Sequence, residues 1–279
     1  MSSLDKMLGI LGLFAAGRTC IRLEEVIELT QASRATAYRY LQSLTDAGLL
    51  APATGGTHAL GPRIIELDRL MRMTDPLLTG ASGPLRELAA TLSANVMLCS
   101  YYGDKVMCVD LVWPDTSVET AYERGRPMPM FRGAMAKTIL AHLPPYHLRN
   151  IMAWHAAEIR AAGLGETLDE FRSHMTRLRR AGVVVTRGEV VPSLVGLGAP
   201  LFDAEQRVLG SLVLAIPESR FDREGGDGFA ASLAEVAGRI NAALARSAAD
   251  AGTPSAKPAR PRPPSSRSRR RGPDVDRNV

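Results

Sequence analysis

The polar side chains best suited to binding chemistry lie in one stretch of sequence, LEEVIELTQASRATAYRYLQSLTDAGLL, which spans residues 23–50. Within it, Arg39 and Gln42 can donate hydrogen bonds to base edges or to phosphates of a nucleic acid. Four neighbouring side chains suit phosphate oxygens, namely Arg34, Thr36, Tyr38 and Ser43. Residues of these types at this spacing indicate a stretch that contacts both the bases and the backbone of DNA.

A helix beginning at Ser33 would hold these side chains on one face. The Ser33 hydroxyl suits an N-cap, because it can accept a hydrogen bond from a free N–H of the first turn. At 100° per residue, Ala37, Leu41 and Leu44 fall within about 40° of one another and form an apolar face that packs inward. Arg39 then lies on the opposite arc, flanked by the other candidate DNA-binding side chains.

The elements around this helix predict a winged helix-turn-helix domain over residues 1–62. Apolar residues recur at helical spacing over residues 4–16, 23–30 and 33–47. Two short strands, at residues 49–50 and 58–60, flank a predicted wing tip of Gly55, Gly56, Thr57 and His58. Residues 1–62 carry five basic and five acidic side chains. Because bulk charge does not favour DNA, a winged helix that contacts another protein remains an alternative.

The rest of the chain alternates helical and strand patterns. Residues 63–73 predict a linker helix, and Pro76, Gly80, Gly83 and Pro84 predict a junction that ends at residue 83. Further helices are predicted at residues 84–94, 133–143, 168–181 and 229–247, and strands at 96–102, 105–112, 183–186, 198–202 and 208–216. Gly103-Asp104 is the predicted turn between the first two strands. This pattern predicts an α+β domain with an antiparallel sheet over residues 84–247.

Length and composition restrict the class of protein. With 279 residues, of which 46% are hydrophobic and 23% charged, the chain has the size of two globular domains. No apolar run approaches the roughly 18–20 residues that cross a bilayer, and Asp5 interrupts the apolar start of the chain. The three cysteines form no CxxC pair, which predicts reduced thiols in a cytoplasmic protein without membrane contact.

Catalytic and metal-binding motifs are missing from the sequence. It contains no HExxH, Walker-type or G-x-S-x-G motif, and its five histidines lack a metal-ligand spacing. Cys99 and Cys108 lie on neighbouring predicted strands, where they are expected to be core residues rather than redox partners. We therefore predict that the protein is not an enzyme and has no catalytic residues, no cofactor and no metal site.

Residues 248–279 form a distinct segment rich in Pro, Ser and Arg. They hold eight basic and three acidic side chains, which accounts for the whole net charge of +5. A segment with so few apolar residues is predicted to be a disordered basic tail. Such a tail is expected either to neutralise DNA phosphates without reading bases or to act as an inert solubilising extension.

Several motifs together resemble the IclR family of bacterial transcription regulators. They are SRATAYRYLQSLTDAGLL followed by a hairpin and LGPRIIEL, the stretch RPMPMFRGAMAKTILAHL at residues 126–143, and residues 182–217 with Glu189 and GLGAPLFD. His58 stands where the family typically has Tyr in a Y-x-L-G motif, which is the one departure at that point. The resemblance spans roughly residues 4–246 and implies a GAF-like effector-binding domain and a homodimer or a dimer of dimers.

The resemblance also implies where an effector binds. Arg132, Gly133, Ala134 and Met135 would form the edge of the pocket, and Gly196, Val213 and Ala215 its floor. Free N–H groups at the start of a helix favour a carboxylate, and Arg132 could add a bidentate contact or else be a solvated surface residue. Apolar side chains at the two strand positions favour an acid with an apolar or aromatic body.

The function predicted from these features is sequence-specific DNA binding that a small-molecule effector modulates. A symmetric dimer would place two recognition helices in successive major grooves of a palindromic operator. Effector binding would change the pose of the DNA-binding domains through the linker helix. The alternative is a sensor or scaffold protein that uses its winged helix for protein contacts, without binding DNA.

Overall fold

The computed structural model describes residues 2–102, 105–115 and 122–252 of the chain. Its N-terminal part is a winged helix-turn-helix, as predicted. The elements are α1 (Ser3–Gly9), a 3-10 segment (Ile10–Ala16), α2 (Leu23–Thr30), α3 (Arg34–Asp46), β1 (Leu50–Ala53) and β2 (Thr57–Leu60). The predicted first helix is thus α-helical only in its first half. It ends at Gly17, whose φ of 77° suits glycine.

Local sequence explains why α3 forms where it does. The Ser33 hydroxyl accepts a hydrogen bond from the Thr36 N–H at 3.3 Å, which confirms the N-cap. The inner face of α3 packs into a small core that also holds side chains from the 3-10 segment, the bridge residue Ile21, α2 and β1; it includes Ile10, Ile21, Val26, Leu41, Leu44 and Leu50. Two backbone hydrogen bonds between Ile21 and His58 attach the hairpin to the helices.

The junction between the domains differs from the prediction. The linker helix α4 spans Arg63–Thr74, but α5 spans Pro76–Leu92 and runs straight through Pro84. Asp75 separates the two helices and caps α5, because its carboxylate accepts the N–H groups of Leu77 and Leu78. Pro84 was wrongly taken as a helix start. The buried apolar face of α5 stabilises the helix despite the hydrogen bond that proline removes.

The C-terminal part is built on a six-stranded sheet in the order β5-β4-β3-β8-β7-β6, and all neighbouring strands are antiparallel, as predicted. The strands are β3 (Asn95–Tyr102), β4 (Lys105–Val112), β5 (Pro127–Met128), β6 (Val184–Arg187), β7 (Leu194–Phe202) and β8 (Val208–Pro217). The predicted turn at Gly103-Asp104 lies outside the described residues. Cys99 and Cys108 are buried and face each other across β3 and β4, as expected of core residues.

Helices cover both faces of the sheet. They are α6 (Gly133–His142), α7 (Pro145–Ala161), α8 (Leu168–Ala181), α9 (Glu218–Glu224) and α10 (Gly226–Gly252). One face packs against α5 and α10, and the other against α6, which α7 and α8 cover in turn. Gly198 lets α6 approach β7 closely, since a Cβ there would lie 2.8 Å from the Ala134 carbonyl oxygen.

Three elements were not predicted, and β7 and α10 are longer than predicted, since β7 begins at Leu194 rather than at Gly198. Helix α7 was missed because Pro144-Pro145 was interpreted only as a stop, although Pro145 is the first residue of the helix, where proline suits the geometry. The short elements β5 and α9 carry too few residues for a periodic signal. Helix α10 ends at Gly252 rather than Ser247, because the alanine-rich stretch favours helix. Residues 253–279 of the predicted tail lie outside the described residues.

Within the described part of the chain, no helix is both long and apolar enough to span a membrane.

Candidate functional site

The exposed face of α3 carries the side chains that the sequence assigns to DNA binding. Ala37, Leu41 and Leu44 are buried, which confirms the predicted inner face. Arg34, Tyr38, Arg39, Gln42 and Ser43 are exposed and Thr36 is half-buried. Tyr38 is 59% exposed although it is aromatic, so its ring is available to a partner outside the chain.

The three candidate donors on this face differ in what already binds them. Arg34 Nη1 lies 3.3 Å from Glu24 Oε1, and Gln42 Nε2 donates to Asp46 Oδ1 at 2.7 Å. Arg39 makes no ion pair or side-chain hydrogen bond with any residue that the structure describes. Of the two arginines on this face, Arg39 is therefore the one that can bind an external acceptor without first breaking an ion pair within the described residues.

The wing tip is shorter than predicted. Gly55 and Gly56 have φ values of 71° and 72° and form the tip with Thr54, whereas Thr57 and His58 belong to β2. His58 is half-buried, and its backbone pairs with Ile21. His58 therefore lies in strand β2 and not at the wing tip. Gly56 remains exposed at the end of the hairpin, where a wing can lie along a DNA backbone.

A cavity lies between α6 and the sheet, where the effector pocket was predicted. Six of the seven predicted residues line it, namely Gly133, Ala134, Met135, Gly196, Val213 and Ala215. The strand register accounts for its floor, because Gly196 and Ala215 are direct partners, as are Gly198 and Val213. The cavity measures only about 20 Å³, room for about one water molecule. A ligand with an aromatic body requires the cavity to open.

The start of α6, which was predicted to bind a carboxylate, already binds one from the chain itself. Glu189 Oε2 accepts the Gly133 N–H at 2.8 Å, and Glu189 Oε1 lies 2.5 Å from Lys137 Nζ. Lys137 is buried, with 9% of its surface exposed, so this ion pair neutralises a charge inside the domain. Glu189 was predicted only as part of a motif, and Lys137 was not predicted.

Arg132 does not line this cavity. Its side chain is exposed and contributes to a separate, more open groove of about 590 Å³, which Phe131, His155, Glu158 and Ala162 also line. Glu189 lines both the groove and the cavity, so it lies between them. The volume of this outer groove falls within the range of small-molecule sites, about 300–1,000 Å³.

Several residues that were not predicted also line the cavity, among them Met97, Tyr122 and Thr186. Met97 pairs with Val213 across β3 and β8, so the alternation of side chains along a strand was the signal that could have found it. Burial raises the pKa of Tyr122 to about 12, which keeps the phenol neutral beside the cavity.

The segment that carries Tyr122 also contacts the linker helix. Two residues further on, Arg124 Nη2 lies 2.5 Å from Asp68 Oδ1 on α4, and Arg124 Nε donates to the Val109 carbonyl at 2.8 Å. The hydrogen bond from Arg124 holds the pKa of Asp68 below its usual value. One short stretch of chain thus connects the cavity wall to the helix between the two domains.

We expect Gly133→Ala to destabilise the protein by about 1–3 kcal/mol, because the φ of Gly133 is 81° and a Cβ would lie 2.8 Å from Val190 Cγ2. Gly163→Ala is the matched control. Its φ is also positive, at 67°, but no atom lies within 4 Å of the added Cβ. Urea unfolding should show the larger loss for Gly133→Ala. Equal losses would mean that contact with Val190 does not constrain this site.

Comparisons with known proteins agree with this architecture. Residues 3–52 match the family model of the IclR helix-turn-helix domain, and residues 73–242 match that of the bacterial transcriptional regulator IclR C-terminal region. The HTH-type transcriptional regulator KipR of Bacillus subtilis is 24% identical over 78% of this chain and 87% of its own length.

Solved structures show the same fold. An IclR transcriptional regulator from Silicibacter sp. TM1040 superposes with a TM-score of 0.75 at 21% identity, over 88% of this chain and 96% of its own. An IclR homologue from Microbacterium hydrocarbonoxydans, complexed with 4-hydroxybenzoate, superposes with a TM-score of 0.69 at 18% identity, over 87% and 99% of the two chains.

Proposed function

Because this chain belongs to the IclR family of bacterial transcriptional regulators, we propose that it binds an operator through α3 and releases or tightens that contact when a carboxylate effector binds beside α6. The chain is a DNA-binding transcription regulator and not an enzyme. No observation favours the alternative of a winged helix that serves only protein contacts. A cytoplasmic location follows from this function.

The observation that supports operator binding is the exposed face of α3, where Arg39 makes no ion pair or side-chain hydrogen bond with the described residues. The inner face of that helix is held by the small core, so the orientation of Arg39 is set by packing rather than by a flexible loop. A helix presented in this way fits the major groove, where an arginine can make a bidentate contact with guanine.

A homodimer on a palindromic operator is the proposed assembly. Apolar side chains exposed on α4 support it, since Ile65 is 75% and Met73 62% exposed and no residue of α4 is buried within the chain. A second copy covering this face would bury these side chains. Two recognition helices related by a two-fold axis would then meet half-sites about one helical turn of DNA apart.

The proposed effector is an organic acid with an apolar or aromatic body. Support comes from the N–H groups at the start of α6, from the apolar floor of Val213 and Ala215, and from a homologue that was solved with 4-hydroxybenzoate. Arg132 lies beside the entrance, in the outer groove, and would meet the acid as it enters. The wall segment with Tyr122 and Arg124 would transmit the change to α4.

The test of this function is fluorescence anisotropy with the purified full chain and DNA fragments from upstream of its own gene. We expect one fragment to bind at least about 10³-fold more tightly than a shuffled sequence at the same salt concentration. Organic acids are then added, 4-hydroxybenzoate first, and one of them should change the affinity for that fragment. Equal affinity for every native and shuffled fragment would contradict operator binding. Operator binding that no organic acid changes would contradict the effector part alone.

A further inference from the structure

Glu189 makes the two contacts that a carboxylate effector would need. One of its oxygens accepts the N–H of Gly133 and the other binds the Lys137 ammonium. A carboxylate from a small molecule has the same two oxygens and the same charge. Both cannot occupy the start of α6 at once, so the internal carboxylate and an external one compete for the same position.

The segment that carries Glu189 also closes the cavity. Residues 188–193 connect β6 to β7, and we call them the lid segment. Val190 and Val191 of this segment line the cavity, and Val190 packs against Gly133. Hydrogen bonds from Gly188 N–H to the Leu194 carbonyl and from Leu194 N–H to the Val191 carbonyl fold the segment back on itself. Glu189 joins this segment to the start of α6, so its release would free Val190 and Val191 to move away from the cavity.

Burial of Lys137 makes this exchange selective for anions. If Glu189 left without a replacement, a buried ammonium group would lose its partner, which is strongly unfavourable. An incoming carboxylate restores the ion pair, whereas a neutral molecule of the same shape does not. The cation therefore allows the cavity to open only when an anion arrives.

Building on the proposed function, we propose that Glu189 is an internal stand-in for the effector carboxylate, which holds the lid segment closed until an external carboxylate replaces it on Gly133 and Lys137. The outer groove on the far side of Glu189 is the path by which that acid arrives. Lys137 determines the preference for acids over neutral ligands, and Glu189 sets the concentration of acid that is needed.

Acetate tests this proposal without any knowledge of the natural effector, because it reproduces the carboxylate that Glu189→Ala removes. We expect acetate to raise the melting temperature of Glu189→Ala by several degrees in a saturable way, at an ionic strength held constant with chloride. Acetamide should have no such effect. Wild type should need a much higher acetate concentration, since Glu189 competes for the position, and Glu189→Ala combined with Lys137→Met should not respond.

Hydrogen exchange separates the lid segment from global stability. In Glu189→Ala with saturating acetate, we expect the N–H groups of Gly188 and Leu194 to exchange faster than in wild type, because acetate replaces the ion pair but does not tether the segment. Glu166→Ala, which removes an exposed carboxylate paired with Arg160, is the control and should show neither effect.

The proposal is overturned if folded Glu189→Ala does not respond to acetate, if acetamide acts equally, if wild type or the Lys137→Met double variant responds equally, or if lid exchange is unchanged. Should Glu189→Ala fold only in acetate, that dependence supports it. If it does not fold at all, Glu189→Asp, whose carboxylate is one methylene shorter, must show the acetate response instead. None of these measurements involves DNA, so their failure leaves the regulator function intact.

Discussion

Arg39→Ala is expected to lower the affinity of the protein for its operator by roughly 5- to 150-fold, which corresponds to the loss of one good base contact worth about 1–3 kcal/mol. Arg39 lies on the exposed face of α3 and makes no internal ion pair or side-chain hydrogen bond among the described residues. Fluorescence anisotropy at fixed salt measures the loss. The melting temperature should stay at the wild-type value because the side chain packs against nothing in the core.

Arg86→Ala is the matched control for this loss. It removes the same charge from α5 in the C-terminal part of the chain, where the guanidinium donates to the Ser82 carbonyl and to no other group of the described residues. We expect it to leave operator affinity nearly unchanged. The affinities of Arg39→Ala for operator and for shuffled DNA show whether the lost contact was to a base or to a phosphate. If Arg39 reads a base, preference for the operator falls, whereas a phosphate contact weakens both DNAs alike. Wild-type affinity of Arg39→Ala would exclude α3 as the reading helix.

The recognition helix was predictable from sequence because its determinants are local. Ser33 caps the helix that directly follows it, and the spacing of Ala37, Leu41 and Leu44 fixes which side faces the core. The junction was not predictable in the same way. Pro84 breaks most helices, and only burial of the face of α5 against α10 and the sheet, which lie far along the chain, keeps this one continuous.

The cavity beside α6 shows the same difference between what local sequence predicts and what depends on distant parts of the chain. The family resemblance identified Gly133, Gly196 and Val213 as pocket residues, and all three line the cavity. What occupies the start of α6 could not be deduced that way. Glu189 arrives from 56 residues further along the chain than Gly133, and no periodic pattern links the two. Arg132 was expected either to contact the acid at the edge of the pocket or to be a solvated surface residue; its side chain is exposed in the outer groove, and the buried cation beside the cavity is Lys137.

Asp68→Ala is expected to remove much of the response to effector while leaving each binding step almost unchanged. Arg124 follows the cavity residue Tyr122 by two positions and binds Asp68 on the linker helix, so this ion pair joins the two ends of the proposed signal. Without it, movement of the cavity wall no longer displaces α4. The effect of the acid, measured as the fold-change in operator affinity that it causes, should be about 2- to 30-fold smaller than in wild type and so approach one.

The choice of Asp68 over Arg124 keeps the cavity wall intact, because Arg124 also donates to the Val109 carbonyl and that bond survives the substitution. Glu66→Ala is the control on the same helix. Among the described residues Glu66 pairs with Arg63 alone, three residues earlier, and its removal should leave the ratio unchanged. Coupling is reciprocal, so operator DNA should also lose its effect on acid affinity in Asp68→Ala, which calorimetry measures independently. A wild-type ratio in Asp68→Ala, or an equal fall in Glu66→Ala, would mean that the signal reaches the DNA-binding domain by another route, such as the dimer contact proposed along α4.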